Sequence, residues 1–330
     1  MSVDRRLVNL GIFLLILGAI PLAVSQGWLA RDSVSHAWEL WPLILVGIGV
    51  GLILRHTPLD FAGGLLVAAT SGTMLGGLLA GGLSLGALGC GSAGAATDPL
   101  VLDERGTFAG GTTRVVLRAT CANLSIVTAS GATWGVTVNG TADARPTLER
   151  AADRLEVRSP DRTVVAPFAD GRLSRWIVTL GTGVDYPLSL DVNLDAGEAN
   201  VDLAGLRVET LKAQGNAVGN SRLLLRDATV GRLDVQVNAS DLKIELPTGA
   251  DLAGRIQANA ASVALCLDPG TGLRLRSSLV VTGDNFASAG LVRSGTTWES
   301  AGIGSATHVI DLALDGAAAS FTLNPSEGCR

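Results

Sequence analysis

Aromatic side chains are scarce in this chain of 330 residues, where Phe, Trp and Tyr together make up 4%. Basic clusters are missing, and the net charge of −5 argues against nucleic acid, whose phosphates require grouped lysines and arginines. The only histidines are His36, His56 and His308, and no two of them have the spacing of metal ligands. Neither a Gly-rich phosphate loop nor a Gly-x-Ser-x-Gly nucleophile elbow occurs. We therefore expect a protein that is not an enzyme and that holds no cofactor and no metal.

Charge is nearly missing from residues 1–89, so the net negative charge lies in the rest of the chain. A helix needs about 20 apolar residues to cross a bilayer. Segment 7–30 meets that length, and segments 37–54 and 61–85 are also apolar. We therefore predict that 1–89 is an anchor of three transmembrane helices. Segment 37–54 is short, and an interfacial or re-entrant segment is the alternative there.

Small residues recur four positions apart within the predicted helices, a spacing that lets helix backbones approach closely in lipid. The glycines concerned are Gly47, Gly51, Gly72, Gly76, Gly77 and Gly81. We predict that they form helix-packing faces. The alternative is that the spacing arises by chance, because the chain contains 42 glycines.

Positive charge in the short loops predicts the orientation of the anchor. Arg5 and Arg6 precede the first segment, and Arg55 lies between the second and third. Positive loops stay on the cytoplasmic side, so we expect a multi-pass protein of the cell membrane whose C-terminal domain is extracytoplasmic. If segment 37–54 does not span, the domain lies on the cytoplasmic side instead.

Residues 90–106 form a predicted linker rich in small side chains, and residues 107–330 form a predicted β-domain. After the linker, apolar residues alternate with polar ones, as in Leu155-Glu156-Val157-Arg158, which is typical of half-buried strands. No helical period of comparable length follows. The fold class expected for the whole chain is therefore membrane α plus all-β.

A repeat of about 21 residues is the most specific feature of the β-domain. Asn238 and Asn259, Ile244 and Leu265, and Gly249 and Gly270 are each separated by 21 positions. Such a period predicts the rungs of a parallel β-solenoid, which stack to share one core. Glycine and asparagine tolerate left-handed backbone, so we assign the turns between strands to Gly197, Asn216, Asn238, Asn259, Gly249 and Gly270. A β-sandwich with coincidental spacing is the alternative.

The chain has four cysteines, which are Cys90, Cys121, Cys266 and Cys329. An even number of cysteines in an oxidising compartment allows disulfides. Three pairings are possible, and the sequence does not select one of them.

Two parts of the chain resemble one known group of proteins. Segment 41–49, Trp-Pro-Leu-Ile-Leu-Val-Gly-Ile-Gly, is similar to the transmembrane region of LiaF-type envelope-stress proteins. Segments 176–180 and 191–206 are similar to the toast-rack β-domains attached to such anchors. The resemblance implies a membrane-anchored protein that senses or modulates envelope stress, sometimes through a sensor histidine kinase. Related toast-rack domains are also described as adhesin-like.

Two functions follow as hypotheses. The first is a non-enzymatic membrane protein that senses or modulates envelope stress through contacts of its β-domain. The alternative is an adhesin-like or scaffolding protein of the cell envelope. The expected partners are the lipid bilayer, a sensor histidine kinase or other membrane protein, and further copies of the chain, with no nucleic acid.

Overall fold

The computed structural model describes the greater part of the β-rich region and a few residues before it. Its described residues are 11–15, 17–19, 45–46, 49, 67–73, 90, 98–108, 113–151, 153–160, 173–183, 187–280, 283–326 and 328–329. The chain divides into two compact units, Met1–Leu83 and Ser84–Arg330.

The described residues of the first unit are helical, in the ranges 11–15, 17–19, 45–46, 49 and 67–73. At 1.5 Å per residue, the run 67–73 is about 10 Å long, a third of the hydrocarbon thickness of a bilayer. None of the described helices combines the length and the apolar character that crossing a bilayer requires.

That finding overturns the prediction of three spanning helices at 7–30, 37–54 and 61–85, and with it the multi-pass membrane location. The prediction counted uncharged residues, and the longest described helical run, 67–73, is too short to span. Among the predicted packing glycines, Gly72 lies in the helical run 67–73 and is buried. The others lie outside the described residues, as does most of the LiaF-like segment 41–49. They are Gly47, Gly51, Gly76, Gly77 and Gly81.

The second unit is built from strands, of which 19 lie in its described part. The first nine are β1 (Leu100–Thr107), β2 (Thr113–Ala129), β3 (Thr133–Asn139), β4 (Thr147–Ala151), β5 (Arg154–Arg158), β6 (Ser174–Gly181), β7 (Leu188–Asp202), β8 (Arg207–Val218) and β9 (Asn220–Leu224). The next five are β10 (Thr229–Asn238), β11 (Asp241–Glu245), β12 (Leu252–Asn259), β13 (Ser262–Cys266) and β14 (Gly272–Val280). The last five are β15 (Gly283–Asp284), β16 (Leu291–Ser294), β17 (Thr297–Ser300), β18 (Val309–Ala317) and β19 (Ser320–Leu323). Short 3-10 turns occur at Ala142–Ala144 and Ile303–Ser305.

The strands form two ladders that share the long strands β2 and β7. The first ladder runs β4-β5-β2-β7-β8-β10-β12-β18-β14-β17-β16. The second runs β1-β3-β6-β2-β7-β9-β11-β13-β19-β15. Apolar residues of both ladders meet in one buried cluster, so each ladder turns one face to the core and one to solvent.

The register between neighbouring strands follows the repeat of the sequence. Leu190 pairs with Leu211 and Asn238 with Asn259, an offset of 21 in each case. Between β8 and β10 the offset is 22, as in the pairing of Leu211 with Leu233. The extra residue lies in the corner between β8 and β9, where Val218 and Gly219 separate the two ladders. Equivalent apolar positions therefore stack above one another through the core.

The predicted fold class is nevertheless wrong. Besides the missing spanning helices, the sheet is mixed and not parallel throughout. Antiparallel pairs lie at both ends: β1–β3, β3–β6 and β4–β5 at one, β14–β17 and β16–β17 at the other. The last strand of a parallel stack would expose an unpaired edge. An antiparallel hairpin covers that edge with a strand that is close in the sequence. Alternation of apolar residues is the same in both strand orientations, so the sequence pattern did not distinguish them.

The order of strands in space differs from their order in the chain at both ends. Strand β18 lies between β12 and β14, although β14 comes first in the sequence. At the other end, β2 lies between β7 and the later strands β5 and β6. Each end of the stack therefore contains one inserted rung.

Gly197 occupies the corner where β7 passes from one ladder to the other. Its φ is 127°, and a Cβ at this position would lie 1.9 Å from the carbonyl oxygen of Ala122 on β2. Both the backbone conformation and the close approach of two strands therefore require glycine.

We expect Gly197→Ala to lower the free energy of unfolding by roughly 2–5 kcal/mol, because strain and overlap add. Urea denaturation measures this. The matched control is Gly249→Ala, at a turn with φ of 78° and no atom within 4 Å of an added Cβ. The control variant should lose about 1 kcal/mol of unfolding free energy. Equal losses for the two variants would contradict the argument that Gly197 is required by close packing against β2.

Candidate binding face

The outer surface of the first ladder carries three rows of polar side chains, one residue per strand, across β7, β8, β10 and β12. We call this surface the polar face. Row one consists of Asp191, Lys212, Asp234 and Arg255. Row two consists of Asn193, Gln214, Gln236 and Gln257. Row three, at the corner, consists of Asp195, Asn216, Asn238 and Asn259.

Row three is a hydrogen-bonded ladder. Asn259 Nδ2 donates to Asn238 Oδ1 at 2.9 Å, and Asn238 Nδ2 donates to Asn216 Oδ1 at 3.2 Å. Asn216 Nδ2 then donates to Asp195 Oδ1 at 2.8 Å. Each amide uses one of its two N–H groups in this way, which leaves the second available at the surface.

The asparagines of row three do not adopt the left-handed conformation for which we selected them. That conformation belongs to the next residue, with φ of 49° at Ala239 and 48° at Ala260. The Ala239 amide donates to the Asn259 carbonyl of the next rung at 2.9 Å, which holds the corner. The asparagines serve side-chain stacking instead. Positive φ does occur at the other predicted turns, Gly197, Gly249 and Gly270, but Asn216 has no positive φ.

Row one alternates in charge along the stack. Neighbouring strands are about 4.8 Å apart, so opposite charges lie side by side and stabilise the pairing modestly. Beyond row one, Arg114 on β2 lies 3.6 Å from Asp191, and Arg255 lies 2.7 Å from Asp315 on β18. An open groove of about 620 Å³ runs along Asp191, Lys212 and Asp234.

Three arginines, Arg118, Arg154 and Arg158, lie around one buried carboxylate where the polar face meets the end of the stack. Arg114 pairs with Arg154, and Arg118 with Arg158, on β2 and β5. Glu156 lies between them, is 1% exposed, and forms ion pairs with Arg154 and Arg158. Burial works to raise the pKa of Glu156, but the hydrogen bond from Arg158 and the charges of the neighbouring arginines outweigh it. The pKa of Glu156 is therefore lowered from its usual 4.5.

The cysteines lie away from the polar face, in two disulfides. Cys90 is bonded to Cys121, in the middle of the inserted strand β2, and Cys266 to Cys329. The second bond fastens the chain after β19 to the outer side of β13, where Lys243 Nζ also donates to the Gly328 carbonyl at 2.9 Å. Each disulfide therefore connects to an inserted rung. The sequence could not predict which cysteines are bonded, because segments that are neighbours in the stack lie far apart along the chain.

The histidines do not form a metal site in the described part of the chain. His308 lies 3.7 Å from Asp251, while His36 and His56 fall outside the described residues. No group of three or more His, Cys, Asp or Glu side chains that could hold a metal ion occurs within the described ranges.

Comparison with solved structures finds similar chains of low identity. One is a candidate cell adhesion protein from Clostridium sporogenes, with 11% identity and a TM-score of 0.47, covering 67% of this chain and 98% of that one. A second is a candidate adhesin from Bacteroides fragilis, with 9% identity, a TM-score of 0.29, and coverage of 70% and 99%. A third is a candidate adhesin from Parabacteroides distasonis, with 9% identity, a TM-score of 0.24, and coverage of 71% and 99%. At these TM-scores the likeness carries no assignment. No protein-family model matches the sequence, and comparison with curated proteins finds no match either.

We expect Asn238→Ala to lower the free energy of unfolding by about 1 kcal/mol, because it removes one donor and one acceptor from the middle of row three. Chemical denaturation followed by circular dichroism measures the loss. Gln236→Ala is the control, since Gln236 lies on the same strand in row two. That variant should change stability by less than about 0.5 kcal/mol, and an equal loss would mean that the ladder contributes nothing.

Removal of the Glu156 charge should destabilise the protein at neutral pH and not at low pH. Glu156→Gln leaves Arg118, Arg154 and Arg158 without their buried counter-charge, and we expect a loss of about 1–3 kcal/mol. A carboxylate with a lowered pKa stabilises the fold fully above its unfolded pKa and loses that effect as pH falls through the folded value. The difference between wild type and variant should therefore shrink as pH drops below 4.5. A difference that stays constant in urea denaturation across that range would contradict the assignment.

Proposed function

We propose that the β-domain is an adhesin-like or scaffolding module that acts by surface contact and not by catalysis. The observation that carries this proposal is the polar face, where three rows of side chains repeat in register across four consecutive strands. A flat periodic surface offers many equivalent weak contacts, which is what a binding module for a periodic partner requires.

The partner that this surface fits is a polymer with regularly spaced hydroxyl or amide groups. The strand spacing of about 4.8 Å sets the distance between equivalent donors along rows two and three. Because row one alternates in sign, a polyanion such as nucleic acid would meet repulsion at every second strand. A glycan with neutral polar groups meets no such conflict.

A non-enzymatic role is supported by how the charged groups of the face are used. Arg114 faces Asp191 and Arg255 faces Asp315, so each ion pair fixes one strand against another. The amides of row three are similarly held by their own ladder. These groups are paired with one another on an open surface, whereas catalytic groups act in enclosed sites that exclude water.

The adhesin-like function is preferred over the sensing role that the sequence also suggested. Sensing through a histidine kinase was inferred from a membrane anchor, and the spanning helices of that anchor are contradicted. Self-assembly by end-to-end stacking is disfavoured, because an antiparallel hairpin covers each end of the first ladder. The polar face remains accessible for binding, because the hairpins at the ends do not cover it.

We expect the full chain to sediment with an insoluble glycan, using chitin, cellulose and isolated peptidoglycan as probes. Replacing row two by alanine at Gln214, Gln236 and Gln257 should weaken binding at least about tenfold, because three hydrogen-bonding side chains are lost. The matched control replaces Asn220, Asp241 and Ser262, which form an equivalent row on the outer face of the second ladder. The proposal would be refuted if the two triple variants sedimented with the glycans to the same extent. It would also be refuted if none of the probes bound the wild-type protein.

A further inference from the structure

A separate cleft of about 340 Å³ opens where the two ladders diverge at the β1–β5 end of the domain. It lies between the end of β1, the start of β3 and the β4–β5 hairpin, and none of its lining residues belongs to the polar face. At about 30 Å³ per water molecule it would hold roughly eleven waters, which is the size of a single sugar ring.

The floor of the cleft is aromatic, in a chain where aromatic residues are few. Trp134 and Phe108 line it, and Trp134 is 6% exposed. Gly106 packs against the indole so closely that a Cβ there would lie 2.6 Å from Cζ2 of the Trp134 ring. The strand β1 thereby fixes the indole in place. Phe108 is only half-buried, and ring C–H groups of a ligand can pack against this part of the aromatic floor.

The rim of the cleft is positively charged. The Arg150 guanidinium lies 5.6 Å from the centroid of the Trp134 ring, and its side chain is 55% exposed. It forms an ion pair with Glu104, at 3.9 Å between Arg150 Nη2 and Glu104 Oε2. Arg154 lies at the same rim and is bound to Glu156. A guanidinium over an indole is held in one orientation, and its planar fork of donors matches a carboxylate, so a ligand carboxylate would compete with Glu104 for Arg150.

A residue that lines this cleft carries a buried hydroxyl for which the described part of the chain supplies no partner. Thr113 lines it and is 3% exposed, and within the described residues nothing hydrogen-bonds to its Oγ1. A buried polar atom left unpaired costs free energy, so a ligand that supplies a hydroxyl at this point would recover that cost.

We propose that this cleft binds one unit of an acidic glycan, a sugar ring that carries a carboxylate. The carboxylate pairs with Arg150, a ring hydroxyl pairs with Thr113 Oγ1, and the C–H face of the sugar packs on the aromatic floor. The combination of all three groups distinguishes this ligand from a simple anion, which needs only the arginines. The combination also distinguishes the acidic glycan from a neutral sugar, which needs only the aromatic floor and the Thr113 hydroxyl.

Isothermal titration calorimetry of the full chain with trigalacturonate tests the proposal, with maltotriose and inorganic phosphate as comparison probes. We expect binding of trigalacturonate that weakens with added salt, and at least tenfold weaker binding of maltotriose and of phosphate. Equal affinity for maltotriose would overturn carboxylate recognition. Equal affinity for phosphate would reduce the cleft to a simple anion site and overturn sugar recognition.

Two variants assign the contacts. Arg150→Gln should weaken trigalacturonate binding about tenfold, as expected for loss of a charge-assisted hydrogen bond. Thr113→Val keeps the shape and removes the hydroxyl, and it should weaken binding about threefold or more. The matched control is Arg293→Gln, because Arg293 stacks on Trp298 at 5.4 Å in the same manner at the opposite end of the domain.

The proposal fails if Arg150→Gln binds as tightly as Arg293→Gln, or if trigalacturonate does not bind at all. Both arginines are exposed, so thermal melting should show that neither variant unfolds. The row-two triple variant of the polar face should bind trigalacturonate normally, which separates the cleft from the proposed function of the face.

Discussion

Stacking of strands in strict register is the constraint on which the rest of the structure depends. Because side chains alternate between faces, a slip of one residue would turn every core residue of that strand outward. The regular offset, 21 residues from Leu190 to Leu211 and 22 from Leu211 to Leu233, prevents this by placing leucine over leucine. The same offset aligns the outer rows, so the polar face is a direct consequence of how the core is packed.

The sequence predicted the centre of the stack better than its ends. The positions of Asn238 and Asn259 set an offset that recurs as the register of β10 and β12. The role of those asparagines was misjudged, because their side-chain ladder requires neighbouring rungs that a local conformational argument does not include. The positive φ of Ala239 and Ala260 could not be predicted from residue type. Alanine rarely adopts the left-handed conformation unless a hydrogen bond from elsewhere in the chain supports it.

The ends could not be predicted because their contacts are distant in the chain. Strand β18 pairs with β12 at an offset of 58 and with β14 at an offset of 37, and neither value belongs to the repeat. Inserting a rung between two others requires closing long loops. The Cys266–Cys329 disulfide, across 63 residues, limits the freedom of that segment when unfolded and stabilises the inserted rung. Large aromatic side chains such as Trp176, Phe286 and Phe321 are fully buried in the end regions, where the repeat no longer supplies matching leucines.

The two candidate sites differ because regular and irregular parts of a stack offer different surfaces. Where rungs repeat, as from β7 to β12, side chains stand at equal spacing and the surface is flat, which favours extended partners. Where the ladders diverge, as between β1 and β5, Trp134 and Arg150 are unique in their positions and enclose a volume of about 340 Å³. The two surfaces therefore fit different ligands. The rows suit an extended glycan with neutral polar groups, to which they offer many weak contacts, while the cleft suits a single charged ring.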